Sequence, residues 1–165
     1  GASSGAGQSA MDIALTGSGD MLGLDGLAWG VGHGVAEAGD QSNTAGREND
    51  DKHSTIFANY SFGPATVGYQ VSTIDKGANG ATSQQTDAWG IAFNVNDDLS
   101  ISYGEREVEY AKASSTHVTE DGEGIAVAYT MGSMKIAGNR NEVSNNEGTT
   151  GTSDEMTEIA LSFSF

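Results

Sequence analysis

Among 165 residues the chain has no cysteine, a single proline, and only seven lysines and arginines against 23 aspartates and glutamates. Without cysteine there is no disulfide, no thiolate metal centre and no cysteine nucleophile. The same absence fits a compartment where unpaired thiols would be oxidised. Seven dispersed cations under a formal net charge of −16 exclude nucleic acid as a partner, because a phosphate backbone has to be met by clustered lysine and arginine. No stretch approaches the roughly 20 apolar residues that a membrane-spanning helix requires. Hydrophobic residues make up 36% of the chain, which is low for a globular core and, beside such a charge, suggests disorder. The opening Gly1-Ala-Ser-Ser-Gly-Ala-Gly7, with no initiating methionine, reads as a cut inside a longer protein.

The apolar residues, however, are not scattered. At the C-terminus Ile159, Leu161, Phe163 and Phe165 alternate with Glu158, Ala160, Ser162 and Ser164, the two-residue period of a strand with one apolar face. The same period sets Ile125, Val127, Tyr129 and Met131 against Gly124, Ala126, Ala128 and Thr130. It recurs at Trp89–Val95, Ile56–Phe62, Val67–Val71, Leu99–Tyr103, Met11–Leu15 and Leu27–Val31. Gly63-Pro64, Asn96-Asp97-Asp98 and Gly132-Ser133 are tight-turn sequences, and longer polar links lie at 38–52, 76–86, 112–120 and 145–153. No segment has helical apolar spacing. The expected fold is all-β, an antiparallel up-and-down meander of about nine strands.

A soluble sandwich would carry charge and threonine on its outer faces. Here the second face holds glycine, alanine and serine, and the apolar face carries aromatics towards the strand ends. A transmembrane β-barrel accounts for both, with apolar residues towards lipid, small polar ones towards the lumen and aromatic girdles at the two interfaces. Trp29, Phe62, Trp89 and Tyr129 are the candidate girdle residues.

Three segments resemble a known family: STIFANYSFGPATVGY (54–69), WGIAFNVNDDLSISY (89–103) and the terminal EIALSFSF (158–165). They resemble the C-terminal half of Gram-negative general porins, especially those of alphaproteobacterial type. The resemblance covers roughly residues 9–165 and is most specific at the terminus, where Ile159, Leu161, Phe163 and Phe165 match a signal read by the barrel-assembly machinery. It implies a barrel of about sixteen strands, of which this chain supplies a partial porin domain over 1–165, lacking the N-terminal half and its inward constriction loop. It further implies a trimer in the outer membrane, contacts with lipid and lipopolysaccharide, periplasmic tight turns and extracellular acidic links.

Asp12, Asn59, Gln70, Asn94, Arg106, Lys135 and Glu158 are the candidate pore-lining residues. Singly, each also reads as a residue that keeps a wet wall wettable. Glu105, Glu107 and Glu109 alternate on the expected lipid side. Either their strand projects above the bilayer or a bulge near Gly104 switches its phase. A structural Ca2+ held by these hard oxygen ligands is a further reading; no other cofactor is expected. Gly17–Gly26 resembles one calcium-binding β-roll repeat, but such folds need several copies, so a flexible turn is expected. Gly30-Val-Gly-His-Gly34 lacks the spacing and the βαβ unit of a dinucleotide site. His33, His53 and His117 have no ligand spacing for zinc. A Ser-His-Asn hydrolase in the barrel is a minor alternative. The expectation is a passive channel for small hydrophilic solutes and ions, not an enzyme. The rival is a small closed barrel serving as an adhesin or structural protein, whose lumen side chains would fill; a secreted calcium-dependent β-protein is the third.

Overall fold

The computed structural model describes residues 9–37, 50–77, 82–112 and 117–164. Among the described residues nine strands form one sheet in chain order, each antiparallel to the next: β1 (Ala10–Ser18), β2 (Leu27–Ala36), β3 (Asp51–Phe62), β4 (Ala65–Asp75), β5 (Thr82–Asn94), β6 (Leu99–Lys112), β7 (Val118–Met131), β8 (Met134–Ser144) and β9 (Ser153–Phe163). The sheet is not closed: β1 and β9 do not pair with each other. Its apolar residues do not make a core. Among the described residues only Ala65 and Val108 are buried hydrophobics, whereas Ile159 is 78% exposed and Met11 70%.

The turns follow from local chemistry. Gly63 and Gly132 have φ of +56° and +60°, the left-handed values that two-residue hairpin turns demand and glycine supplies. Pro64, which cannot donate to a ladder, sits in the first of these turns, and its carbonyl accepts from the Asn94 amide at 2.9 Å. Between β5 and β6 the Asn96 side chain accepts from the amides of Asp98 and Leu99 at 2.9 and 2.8 Å, so the side chain builds the turn. Gly17–Gly26, expected as a flexible turn, contains one turn of 3-10 helix at Gly19–Leu22.

The strands run further into the polar links than their apolar alternation does. β5 begins at Thr82, and β6 and β7 reach Lys112 and Val118, so residues 82–86, 112 and 118–120 of the segments expected as links at 76–86 and 112–120 are ladder. The ladder is continuous past Gly104, with Tyr103, Gly104 and Glu105 facing Ile91, Gly90 and Trp89 one to one. No bulge changes the phase, and Glu105, Glu107 and Glu109 share a face with Ile101 and Tyr103.

One row of direct partners runs Trp29, Ala58, Tyr69, Trp89, Glu105, Glu123, Glu142, Glu155. Its distance from the turn-side end of the same face grows from two residues on β2 (Leu27 to Trp29) to eight on β9 (Phe163 to Glu155). Six residues of stagger, ~20 Å along a strand, accumulate over strand spacings totalling ~34 Å, which tilts the strands by about 30°. A ladder row therefore climbs as it crosses the sheet, and passes from aromatic to acidic residues on the way.

Candidate functional site: the two faces and the outer mouth

Cross-strand partners share a face, so the register sorts every side chain. One face carries Ile56, Tyr60, Val67, Ile91, Ile101, Ile125, Val127, Ile136 and Leu161, all exposed. The candidate girdle residues Trp29, Phe62, Trp89 and Tyr129 lie on it as well. Phe62 stacks on Tyr60 with centroids 5.8 Å apart near the turn side. Further up the face, Trp89 and Tyr103 meet edge to face at 5.8 Å.

The polar tips of this upper aromatic group point at carboxylates. The Tyr69 hydroxyl donates to Asp87 at 2.8 Å and Trp89 Nε1 to Glu105 at 3.1 Å. The Tyr103 hydroxyl lies 2.7 Å from Glu105 and 2.8 Å from Glu123. An apolar ring below and a hydrogen-bonded tip above is the arrangement of a bilayer–water interface. Tyr69 and Tyr103 were missed as girdle residues; their period with Val67, Val71 and Ile101 was the available signal. Above them, Arg140 bridges Glu142 and Glu155. Glu105, Glu107 and Glu109 do not converge, and Glu109 pairs with His117. Among the described residues no group of three acidic or histidine side chains is placed to hold a metal ion.

The opposite face carries all seven residues picked as pore-lining, and explains the glycine content. Asp12 extends over Gly34, Asn59 over Gly68, Asn141 over Gly124 and the Phe57 ring over Gly30, each glycine being the direct partner of the side chain above it. A Cβ at Gly30 would stand 2.4 Å from the Phe57 ring. Glycine thus lets large inner side chains lie flat along the wall. Gln70 donates to Ser72 at 3.0 Å and Glu158 accepts from Asn139 at 3.4 Å. Asn94 lies by the turns opposite Ser100, and Lys135 opposite Thr130 and Ser162. Phe165, the last residue of the expected assembly signal, lies outside the described residues; Ile159, Leu161 and Phe163 are on the apolar face of β9.

Arg106 stands apart from the other six. Its guanidinium, half exposed, pairs with Glu120, whose side chain is only 5% exposed. Glu120 also accepts from the Tyr110 hydroxyl at 3.1 Å and from the backbone N–H of Glu147 at 2.8 Å. Glu147 belongs to the β8–β9 link, which crosses the upper part of the inner face instead of projecting into solvent. There Gly148 packs on the Tyr110 ring, and Asn145 donates to the Thr119 carbonyl at 2.9 Å while accepting from the Gly151 amide at 3.0 Å. Sequence reasoning had placed 145–153 and Glu120 in solvent-facing links and looked for an inward loop only in the other half of the barrel.

A hydroxyl–imidazole contact of the kind a hydrolase reading would use, His33 Nδ1 with Ser54 Oγ at 2.9 Å, lies on the apolar face, and among the described residues His33 meets no carboxylate.

No protein-family model matches the chain, and no curated protein matches its sequence. A solved structure matches in fold: the outer-membrane expressed OmpT of Vibrio cholerae, at a TM-score of 0.63 and 16% identity. The match covers 96% of this chain and 56% of that one, so the chain spans little more than half the length of this structural relative. The fold is that of an outer-membrane β-barrel, present here as an open nine-stranded part. The expectation that the chain is not an enzyme is corrected by this match. The likeness is to an OmpT, and a fold shared at 16% identity gives no ground for excluding catalysis.

Proposed function

We propose that the chain forms part of the wall of a water-filled outer-membrane channel of the general-porin type, through which small hydrophilic solutes and ions diffuse. The observation that carries this reading is the division of one sheet into two unlike faces. An exposed apolar band ends in aromatics whose polar tips are hydrogen-bonded, and behind it lies a face of glycine, alanine, serine and flat-lying polar side chains. The first suits lipid; the second leaves room for water and cannot fill a barrel by itself.

In this reading further strands complete the barrel, the protein assembles as a homotrimer, and the barrel-assembly machinery recognises β9. The acidic ends of β5–β9 face the lipopolysaccharide headgroups. Lumen width limits solute size, and the wall charges Asp12, Glu120, Asp154 and Glu158 outweigh Arg106 and Lys135, giving mild cation preference. The test is the full-length protein in planar bilayers under a KCl gradient. Stepwise conductance with a cation-selective reversal potential supports the proposal; a tight membrane, or anion preference, contradicts it.

A further inference from the structure

We propose that the link from Asn145 to Thr152 is a strap laid across the outer mouth of the lumen, and that Glu120 is the latch holding it there. The proposal rests on the reading of the inner face as a channel wall. A link of this composition, rich in asparagine, glycine and threonine, would ordinarily stand out into solvent. Here two of its non-glycine residues, Asn145 and Glu147, adopt left-handed φ of 52° and 53°, a conformation that tertiary contacts have to maintain.

Those contacts converge on one carboxylate. Glu120 is 4% exposed, which is unusual for an acid on a wall that faces water. Its donors come from both sides of the junction. Arg106 and Tyr110 belong to the wall on β6, whereas the Glu147 N–H belongs to the strap. Gly148 then seats the strap on the Tyr110 ring, so closely that a Cβ would stand 2.8 Å from Tyr110 Cγ, and its φ of +67° is itself one that side chains disfavour. With the strap lifted, water replaces the Glu147 amide as donor to the carboxylate, while Arg106 and Tyr110 stay in place. Both states therefore leave Glu120 satisfied, the condition under which a small perturbation switches between them. Closed, the strap occupies lumen cross-section beside β6 and β7; open, it clears it.

The experiment uses the full-length protein with Glu120→Gln, Gly148→Ala and the double variant, all first checked for native folding by heat-modifiable gel migration. Amide hydrogen exchange in detergent reads the strap directly. Exchange at Glu147 is expected to accelerate about tenfold or more in each single variant. Single-channel conductance is expected to rise in each, and the double variant to exceed neither, since both changes release one element. Unchanged protection in both variants overturns the latch, as does faster exchange with wild-type conductance, because the strap then lies outside the ion path. A protein that forms no channel at all defeats the channel reading instead, and the exchange rates alone then decide whether Glu120 holds the strap.

Discussion

Placing an arginine at Val127 tests which face of the sheet meets lipid. Val127 lies on β7 between Ile101 and Gly138 on the apolar face, four residues above Met131 at the turn side. Four residues are ~13 Å of strand, and at a tilt of about 30° they raise Val127 ~11 Å above the lower edge of an apolar band about 25 Å tall. That is close to the bilayer midplane, where an outward arginine costs ~2–4 kcal/mol. Thr119 shares the face but lies twelve residues above Met131, ~34 Å by the same geometry and beyond the band, so Thr119→Arg should cost ~0–1 kcal/mol. Ala126→Arg, one residue from Val127 but pointing inward, puts its charge into water and should leave stability within ~0.5 kcal/mol. Chemical denaturation of the full-length protein in lipid vesicles gives all three values. Equal costs at 119 and 127, or a cost at 126 matching that at 127, would refute the assignment of faces.

The glycine pattern of the inner wall makes a second prediction. Gly30→Val should displace the Phe57 ring and cost ~1–3 kcal/mol by overpacking, measured by the same denaturation, and Phe57→Ala in the same chain should recover part of that loss. Wall charge makes a third: Lys135→Glu and Arg106→Glu should each shift the KCl reversal potential towards stronger cation preference. An unchanged reversal potential would place these side chains outside the ion path. Metal dependence makes a fourth. The separated placement of Glu105, Glu107 and Glu109 predicts that chelation of divalent cations leaves the denaturation midpoint in pure phospholipid unchanged, and a large drop would reveal a bound ion.

The fold was legible because a two-residue period is a local property. Val127 and Ala126 declare their faces without reference to any other strand, and the same period put Asp12, Asn59, Gln70, Asn94, Arg106, Lys135 and Glu158 on one face before any register was known. What escaped was non-local. Composition alone could not show that Thr82–Thr86 and Val118–Glu120 continue as ladder, because polar residues on a strand that leaves the bilayer look like those of a link. Nor could it show that 145–152 turns back over Tyr110, since that depends on Glu120 reaching it from a strand more than twenty residues earlier. The acidic run at Glu105–Glu109 left two accounts open, a strand projecting above the bilayer or a bulge near Gly104, and only the cross-strand register, unbroken past Gly104, removes the bulge. The tilt carries β6 out of the apolar band without any bulge.

The most direct test of the central claim is a cysteine scan along Ala126, Val127, Ala128 and Tyr129 in the full-length protein in membranes. Each thiol is exposed to a charged, hydrophilic methanethiosulfonate reagent while channel current is recorded. The wall assignment predicts labelling and reduced current at 126 and 128, with neither at 127 and 129. Labelling at all four sites, or at 127 and 129 alone, would contradict it.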